Sequence, residues 1–337
     1  MINEALNNLL NSQKITAVEA REVFDEIFSG LSNDIQTASF LTALSANQID
    51  EDIICAAIDS SIQAIKKPYS VASCDNLIEN IVLSDNLETI DIVLLQDLIC
   101  SSAELAVSRY FFESDVSRSR TFDIFNLMGV KLEKQVDYFS DDFEKLNFNY
   151  FYLHSSNPYF KYTKNINLAL PIENVLNVTS KMLNPLNAQN LFLGVNKKEL
   201  VDKYAGISLK LERKNAIVVS GDNGISYISP CGESYVAEAW KNKIFTYALA
   251  PQLLGFNEYD FGEIYCENND ENAKDILDII YNKNKGAKYV VSVLNSGLSL
   301  YISKKADSIY DGVKLAQKLI VDGVVAQKFE QIKRYYA

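Results

Sequence analysis

The chain has 337 residues, enough for roughly two domains at about 150 residues each. Its 44 acidic and 32 basic side chains leave a net charge of −12, which argues against a general nucleic-acid or anionic-membrane surface. A hydrophobic fraction of 48% supplies a sizeable core, and only 13 glycines and 6 prolines exclude collagen-like and low-complexity chains.

Residues 1–67 read as consecutive helices. Ala5, Leu6, Leu9 and Leu10 form one apolar stripe. Thr16 and Glu19 make a T-x-x-E capping box, opening a helix that turns Ala20, Val23, Phe24, Ile27 and Phe28 inward, with Gly30 placed to end it. Ser32 or Asn33 caps a third helix carrying Ile35, Ala38, Phe40, Leu41 and Leu44. A fourth starts near Asp50, buries Ile53, Ile54, Ala57, Ile58, Ile62 and Ile65, and stops at Pro68.

Beyond Pro68 the period changes. Short β-rich runs stand at 81–83, 105–112, 148–153, 215–219 and 226–228, alternating with helical segments. The predicted fold class is α/β, a small all-helical N-terminal domain plus a larger α/β domain with a mostly parallel central sheet. The predicted boundaries are 1–68 for the helical domain, joined by about 165–190, and 69–164 with 191–337 for the α/β domain. Pro171, Asn184 and Pro185 punctuate a helical stretch. The tail reads as a helix, a strand or buried helix, then one long amphipathic helix over about 306–334.

The N-terminus, MINEALNNLL, has no basic stretch and no long apolar run, so no secretory signal is expected. The richest apolar run, residues 90–100, is interrupted by Asp91, Gln96 and Asp97 and falls short of the roughly 18 residues of a membrane span. Cys55, Cys74, Cys100, Cys231 and Cys266 are odd in number and form no CxxC, so they read as small hydrophobes in a cytoplasmic protein. Residues 283–337 hold ten basic and four acidic side chains, a local +6 that leaves −18 on the rest. This is either a solvated face or a docking surface for an acidic partner.

The segments LLNSQKITAVEAREVFDEIFSG, DIQTASFLTAL and IDEDIICAAIDSSI follow one another in the N-terminal helices. Further on stand LMGV at 127–130, NPYFK at 157–161, NVTSKMLNP at 177–185, LFLGV at 191–195 and SGDNGISYIS at 220–229, then the helical tail. In order and spacing this composite resembles anthranilate phosphoribosyltransferase and the related class II nucleoside phosphorylases, over nearly the whole chain. The resemblance implies a homodimer paired through the N-terminal helices.

The resemblance also implies four chemical elements, each altered here. The family's Gly-Thr-Gly-Gly-Asp loop lets backbone N–H groups approach a pyrophosphate. The matching stretch holds Ser84, Asp85, Asn86, Leu87 and Glu88, with no glycine and with carboxylates that a phosphate would meet. The Asn-x-Ser-Thr that opens the next helix reads Asp91-Ile92-Val93-Leu94. Lys-His-Gly-Asn-Arg-Ser reads Arg109-Tyr110-Phe111-Phe112-Glu113-Ser114, keeping a cation, reversing one charge and filling the glycine position. The arginines that grip the acceptor's carboxylate have become Asn167 and Glu173. The Asp-Glu pair that holds magnesium has become Ser226-Tyr227, so no cofactor and no retained magnesium site are expected.

The expectation is therefore a protein that kept the architecture, lost the ancestral transfer and acts by binding a ligand or partner. The rivals are a glycosyl or phosphoribosyl transferase with an atypical donor or acceptor, and a nucleic-acid-binding relative. No catalytic residue is assigned. The candidate ligand-binding residues are Ser84, Asp85, Asn86, Arg109, Glu113, Ser114, Ser117, Arg118 and Asn177. Asp85, Glu88, Asp91, Glu113 and Asp115 are either solvated loop charges or an acidic cleft for a cation. Tyr110, Phe111 and Phe112 are strand core or a stacking platform. His154, the only histidine, excludes a two-histidine metal site within one chain. Trp240 reads as packing within a helical or turn segment.

Overall fold

A computed structural model describes residues 1–47, 49–64, 76–83, 88–111, 116–131, 143, 145–152, 158–170, 172 and 174–336. In chain order the described elements begin with α1 (Ile2–Leu10), α2 (Ala17–Ser29), α3 (Asp34–Ala46), α4 (Glu51–Ala64), β1 (Leu77–Val82), α5 (Ile92–Ser102), β2 (Ala106–Phe111), α6 (Val116–Leu127) and β3 (Phe148–Tyr152). They continue with α7 (Pro158–Ala169), α8 (Val175–Met182), β4 (Asn190–Gly194), α9 (Val201–Lys210), β5 (Asn215–Ser220), β6 (Ser234–Trp240) and β7 (Lys243–Leu249). The last four helices are α10 (Asn269–Ile280), α11 (Ala287–Ile302), α12 (Ile309–Val321) and α13 (Val324–Tyr335). The chain divides into two compact units. One draws its described residues from 1–72 and 153–187, the other from 73–111, 115–152 and 188–337.

The first unit is all helical. Glu19 N–H donates to the Thr16 hydroxyl at 3.2 Å and Thr16 N–H donates to the Glu19 carboxylate at 2.7 Å, so the capping box that opens α2 forms. Gly30 ends α2 at φ 74°, and a β-carbon there would strike the Tyr162 ring of α7. Asn33, not Ser32, caps α3, its Oδ1 accepting from Gln36 N–H at 2.9 Å. Phe24 and Phe40 meet edge to face at 5.9 Å in the core. Leu10, Ile35 and Ile62 depart from the expected inner stripes and are exposed. Each lies at or near a helix end. The second piece of this unit includes all of α7, which begins before the expected boundary near 165.

Among the described residues the second unit is built on a seven-stranded sheet ordered β3-β2-β1-β4-β5-β6-β7, parallel through β5 and antiparallel at β6 and β7. The α/β architecture with a mostly parallel sheet stands. Three details are corrected. Residues 226–228 form a buried irregular loop, not a strand. The main chain of Ile228 is taken by a side chain: its N–H donates to Asn295 Oδ1 at 2.8 Å and its carbonyl accepts from Asn295 Nδ2 at 2.9 Å. Trp240 ends strand β6 and is exposed, rather than packed in a helix or turn. The expected long C-terminal helix is two helices, α12 and α13, because Gly323 enters the left-handed region at φ 74° between them.

Helix α11 is buried along nearly its whole length, between the sheet and α12. That explains why its sequence reads equally as strand or helix: a helix covered all round loses its polar stripe.

Candidate functional site

Asp91 precedes α5 and is fully engaged. Its Oδ1 accepts from Leu94 N–H at 3.1 Å, its Oδ2 accepts from the Thr121 hydroxyl at 2.7 Å, and its own N–H donates to Asn272 Oδ1 at 3.0 Å. A carboxylate thus caps the N-terminus of α5, where the helix dipole favours negative charge. Around it, Arg120 donates to the Thr89 carbonyl, and exposed Glu88 accepts from the Tyr265 hydroxyl at 2.7 Å.

Arg109 lies on β2, its guanidinium carbon 5.1 Å from the Phe111 ring centroid and 6.0 Å from that of Tyr150. Phe111 is buried and sits edge to face with Phe122 at 5.0 Å and Tyr150 at 5.4 Å, so it belongs to the core and not to a stacking platform. Burial alone would lower the Arg109 pKa. Tyr150, Asp91 and Asp97 outweigh that and hold it above the ordinary arginine value.

Behind Arg109 runs a buried polar seam that the sequence reading did not single out. Asp97 accepts from Asn80 Nδ2 at 2.7 Å and from the Tyr150 hydroxyl at 2.6 Å. The Ser299 hydroxyl donates to Asn80 Oδ1 at 2.7 Å, and Gln96 Nε2 donates to Ser299 Oγ at 2.6 Å. Burial pushes the Asp97 carboxyl up to about 7, against the pull of Arg109 and of the two donors. The signal was present: Gln96 and Asp97 are two polar residues inside the chain's richest apolar run, and a buried pair there needs partners.

At the position of the family's magnesium pair, Ser226 and Tyr227 are both buried. Ser226 Oγ is sealed from solvent with no hydrogen-bond partner among the described residues. The Ser226 carbonyl fills the space that a β-carbon on Gly194 would need. Neutral hydroxyls facing the core do not fit a hard divalent ion that asks for carboxylate oxygens. A different set of ligand-type atoms, from Cys266, Glu271 and Asp275, does converge within 4.8 Å. A cation already stands there, since Lys288 Nζ bonds Glu271 at 3.0 Å and also contacts Asp275.

Of the candidate ligand-binding residues, Arg109 is the one seen in full detail within the sheet unit. Ser117 and Arg118 lie in the first turn of α6. Ser84, Asp85, Asn86, Glu113 and Ser114 fall outside the described residues, as do Asp115 and His154. Asn177 belongs to the helical unit, where its Oδ1 accepts from Asn174 N–H at 2.8 Å and completes the capping box of α8. An open cavity of about 340 Å³ beside α10 is lined by Leu127, Leu277 and Tyr281 among others, and none of the candidates lines it.

Residues 84–326 match the family model described as "Glycosyl transferase family, a/b domain", and residues 3–64 match "Glycosyl transferase family, helical bundle domain". The chain belongs to the glycosyl transferase family. Within it the chain is anthranilate phosphoribosyltransferase-like. The anthranilate phosphoribosyltransferase of Vesicomyosocius okutanii is 27% identical over 334 residues, covering 99% of this chain and 98% of that one. That of Methanobrevibacter smithii is 28% identical over 339 residues, covering 99% of both. Among solved structures, anthranilate phosphoribosyltransferase from Thermus thermophilus superposes with a TM-score of 0.87 at 22% identity, covering 98% of this chain and 99% of that one. The Saccharomyces cerevisiae enzyme in complex with PRPP and Mg gives 0.83 at 18% identity, covering 98% and 96%. These structural likenesses establish the fold of this glycosyl transferase family member.

Proposed function

We propose that this family member no longer carries out magnesium-dependent phosphoribosyl transfer and acts by binding a ligand or partner. The observation that carries the reading is Asp91. In the family this helix start offers its N–H groups to the donor's phosphate; here the chain's own carboxylate takes the Leu94 N–H. A phosphate brought to about 4 Å would meet repulsion of roughly 1–4 kcal/mol. The buried hydroxyls at the magnesium position and the core placement of Phe111 support the same reading.

The reading includes a homodimer through the N-terminal helices, supported by exposed Leu10, Val18, Leu31 and Ile35 in that unit. It also includes a cytoplasmic location. Among the described residues no disulfide is present and no helix is long and apolar enough to cross a membrane.

One observation favours the rival transferase with an atypical donor. Arg109 Nη1 is sealed from solvent and has no hydrogen-bond acceptor among the described residues, which suits a bound anion. The nucleic-acid reading loses support, because Lys283 and Lys285 precede α11 whereas Lys304 and Lys305 follow it, separated by roughly 24 Å of helix.

Calorimetric titration of the full chain with PRPP, with and without Mg²⁺, tests the proposal. No detectable heat at millimolar donor is expected. Micromolar, magnesium-dependent binding overturns it and returns the chain to transferase chemistry.

A further inference from the structure

We propose that β7 pairs with β7 of a second copy of this chain, antiparallel about a two-fold axis at Thr246, so that two seven-stranded sheets become one. Among the described residues β7 is an edge strand, bonded only to β6. Its burial runs exposed at Lys243, Ile244, Phe245 and Thr246, with Ile244 at 38% and Phe245 at 52%. An unbroken, apolar edge of seven residues is the kind that other proteins shorten, bulge or cover. This one contains no proline, and Lys243 is its single charge.

The hairpin geometry determines which groups are free. Lys241 and Asn242 form a two-residue turn with φ 48° and 58°, and Trp240 stands opposite Lys243. A turn of this kind makes the flanking pair the hydrogen-bonded one. Alternation along the ladder then directs the main-chain groups of Lys243, Phe245, Tyr247 and Leu249 to β6. The N–H and C=O of Ile244, Thr246 and Ala248 point outward.

A two-fold axis at Thr246 uses all of them. Thr246 faces its own copy, and Ile244 faces the partner's Ala248, giving about six main-chain hydrogen bonds. Phe245 then stands opposite the partner's Tyr247 in the closer, non-hydrogen-bonded spacing, an aromatic cross-strand pair. Lys243 faces the partner's Leu249, so like charges do not meet. An axis at Phe245 or Tyr247 still sets outward groups opposite one another but carries one of the three outward residues past the end of the partner strand, and an axis midway between two residues sets outward groups against inward ones. The occupant best matched to this edge is therefore the same edge.

The contact is small. A seven-residue edge falls below the roughly 1,200 Å² of stable complexes, so weak, concentration-dependent association is expected. Sedimentation of the full chain from about 5 to about 500 µM reads it as a doubling of mass with concentration. Thr246→Lys puts two lysines face to face across the axis and removes the step. Thr246→Pro deletes an outward N–H while sparing those bonded to β6, and also removes it. Both variants keep the wild-type melting temperature.

Register is read by cross-linking. Thr246→Cys brings two Cα atoms to about 5.5 Å, within disulfide range, so mild oxidation links it to its own copy. Ala248→Cys faces Ile244 and does not cross-link above the wild-type background. The absence of a step, a step that survives both Thr246 variants, or equal cross-linking at 246 and 248 overturns the proposal. Pairing through the helical unit raises the starting mass and leaves the step itself unchanged, so the two interfaces are read separately.

Discussion

The carbonyl oxygen of Gly297 occupies the space where a β-carbon on Gly312 would stand, so α11 and α12 cross backbone against backbone. The contact is reciprocal: a β-carbon on Gly297 would lie 2.7 Å from Val313 N. Gly312→Ala must therefore push the helices apart, and the strain and lost packing outweigh the helix propensity that alanine adds. Denaturant unfolding should show a loss of about 2 kcal/mol or more. Gly262→Ala, with nothing within 4 Å of its β-carbon and no positive φ, is the matched control and should be neutral or slightly stabilising.

Asn295 ties the loop at 226–228 to α11 by mimicking a strand neighbour. Its amide gives and takes one hydrogen bond each with the main chain of Ile228, and all four groups are buried. Asn295→Leu removes both partners at once, leaving a buried N–H and a buried C=O unpaired at about 1–3 kcal/mol each. A fall in unfolding free energy of roughly 2–5 kcal/mol is expected. Hydrogen exchange should also show the Ile228 amide losing protection selectively. Uniform loss across the unit would mean that the loop is held by packing instead.

Arg213 and Glu79 form an ion pair in the core, 2.6 Å apart and each 2% exposed, with a second guanidinium nitrogen on the Ala188 carbonyl. Burial raises the Glu79 pKa, and Arg213 pulls it back down. Arg213→Met leaves the carboxylate buried without its partner, at a cost of about 3–5 kcal/mol near pH 8. Without the guanidinium the folded-state pKa of Glu79 rises further above its unfolded value, so folding takes up a proton. The variant is then least impaired at low pH and loses stability as pH rises through that folded pKa. Urea titrations at pH 5 and pH 8 measure the difference, and Glu79→Leu with Arg213→Met should recover most of the loss.

Local signals were the most legible ones. The Thr16–Glu19 box, the stop at Gly30 and the helical-then-alternating period all depend on neighbours within a few residues, and all appear in the structure. Features set by distant residues were not legible. The loop at 226–228 looks like a strand because it is apolar, and it is irregular because Asn295 of α11 reaches it from the far end of the sequence. Strand β6 carries mixed polar residues that hide its alternation, β7 is largely apolar on both faces and so shows none, and Gly323 alone divides a stripe whose apolar pattern continues. At the candidate site, the residue types were readable but their assignments were not. Asp91 read as a solvated loop charge or as part of an acidic cleft for a cation, whereas it caps α5 and accepts from Thr121.

The seam around Asp97 gives the molecule a pH dependence near neutrality. Its carboxyl lies between Asn80 of β1 and Tyr150 of β3, with Arg109 of β2 and Asp91 as the nearby charges. Burial lifts it from an ordinary value of 3.8 to about 7. The native state therefore keeps a proton that the unfolded chain releases. The contribution to stability is fully present below about pH 4 and is lost as pH rises through 7. Asp97→Asn keeps the size and an acceptor for Asn80 but cannot ionise. Between pH 4 and 7 the variant's unfolding free energy should gain on the wild type's, and above pH 8 the difference should level off. Guanidinium unfolding at unit pH steps makes the comparison. A difference that stays constant with pH would mean that Asp97 does not change protonation on folding and that Arg109 keeps it ionised throughout.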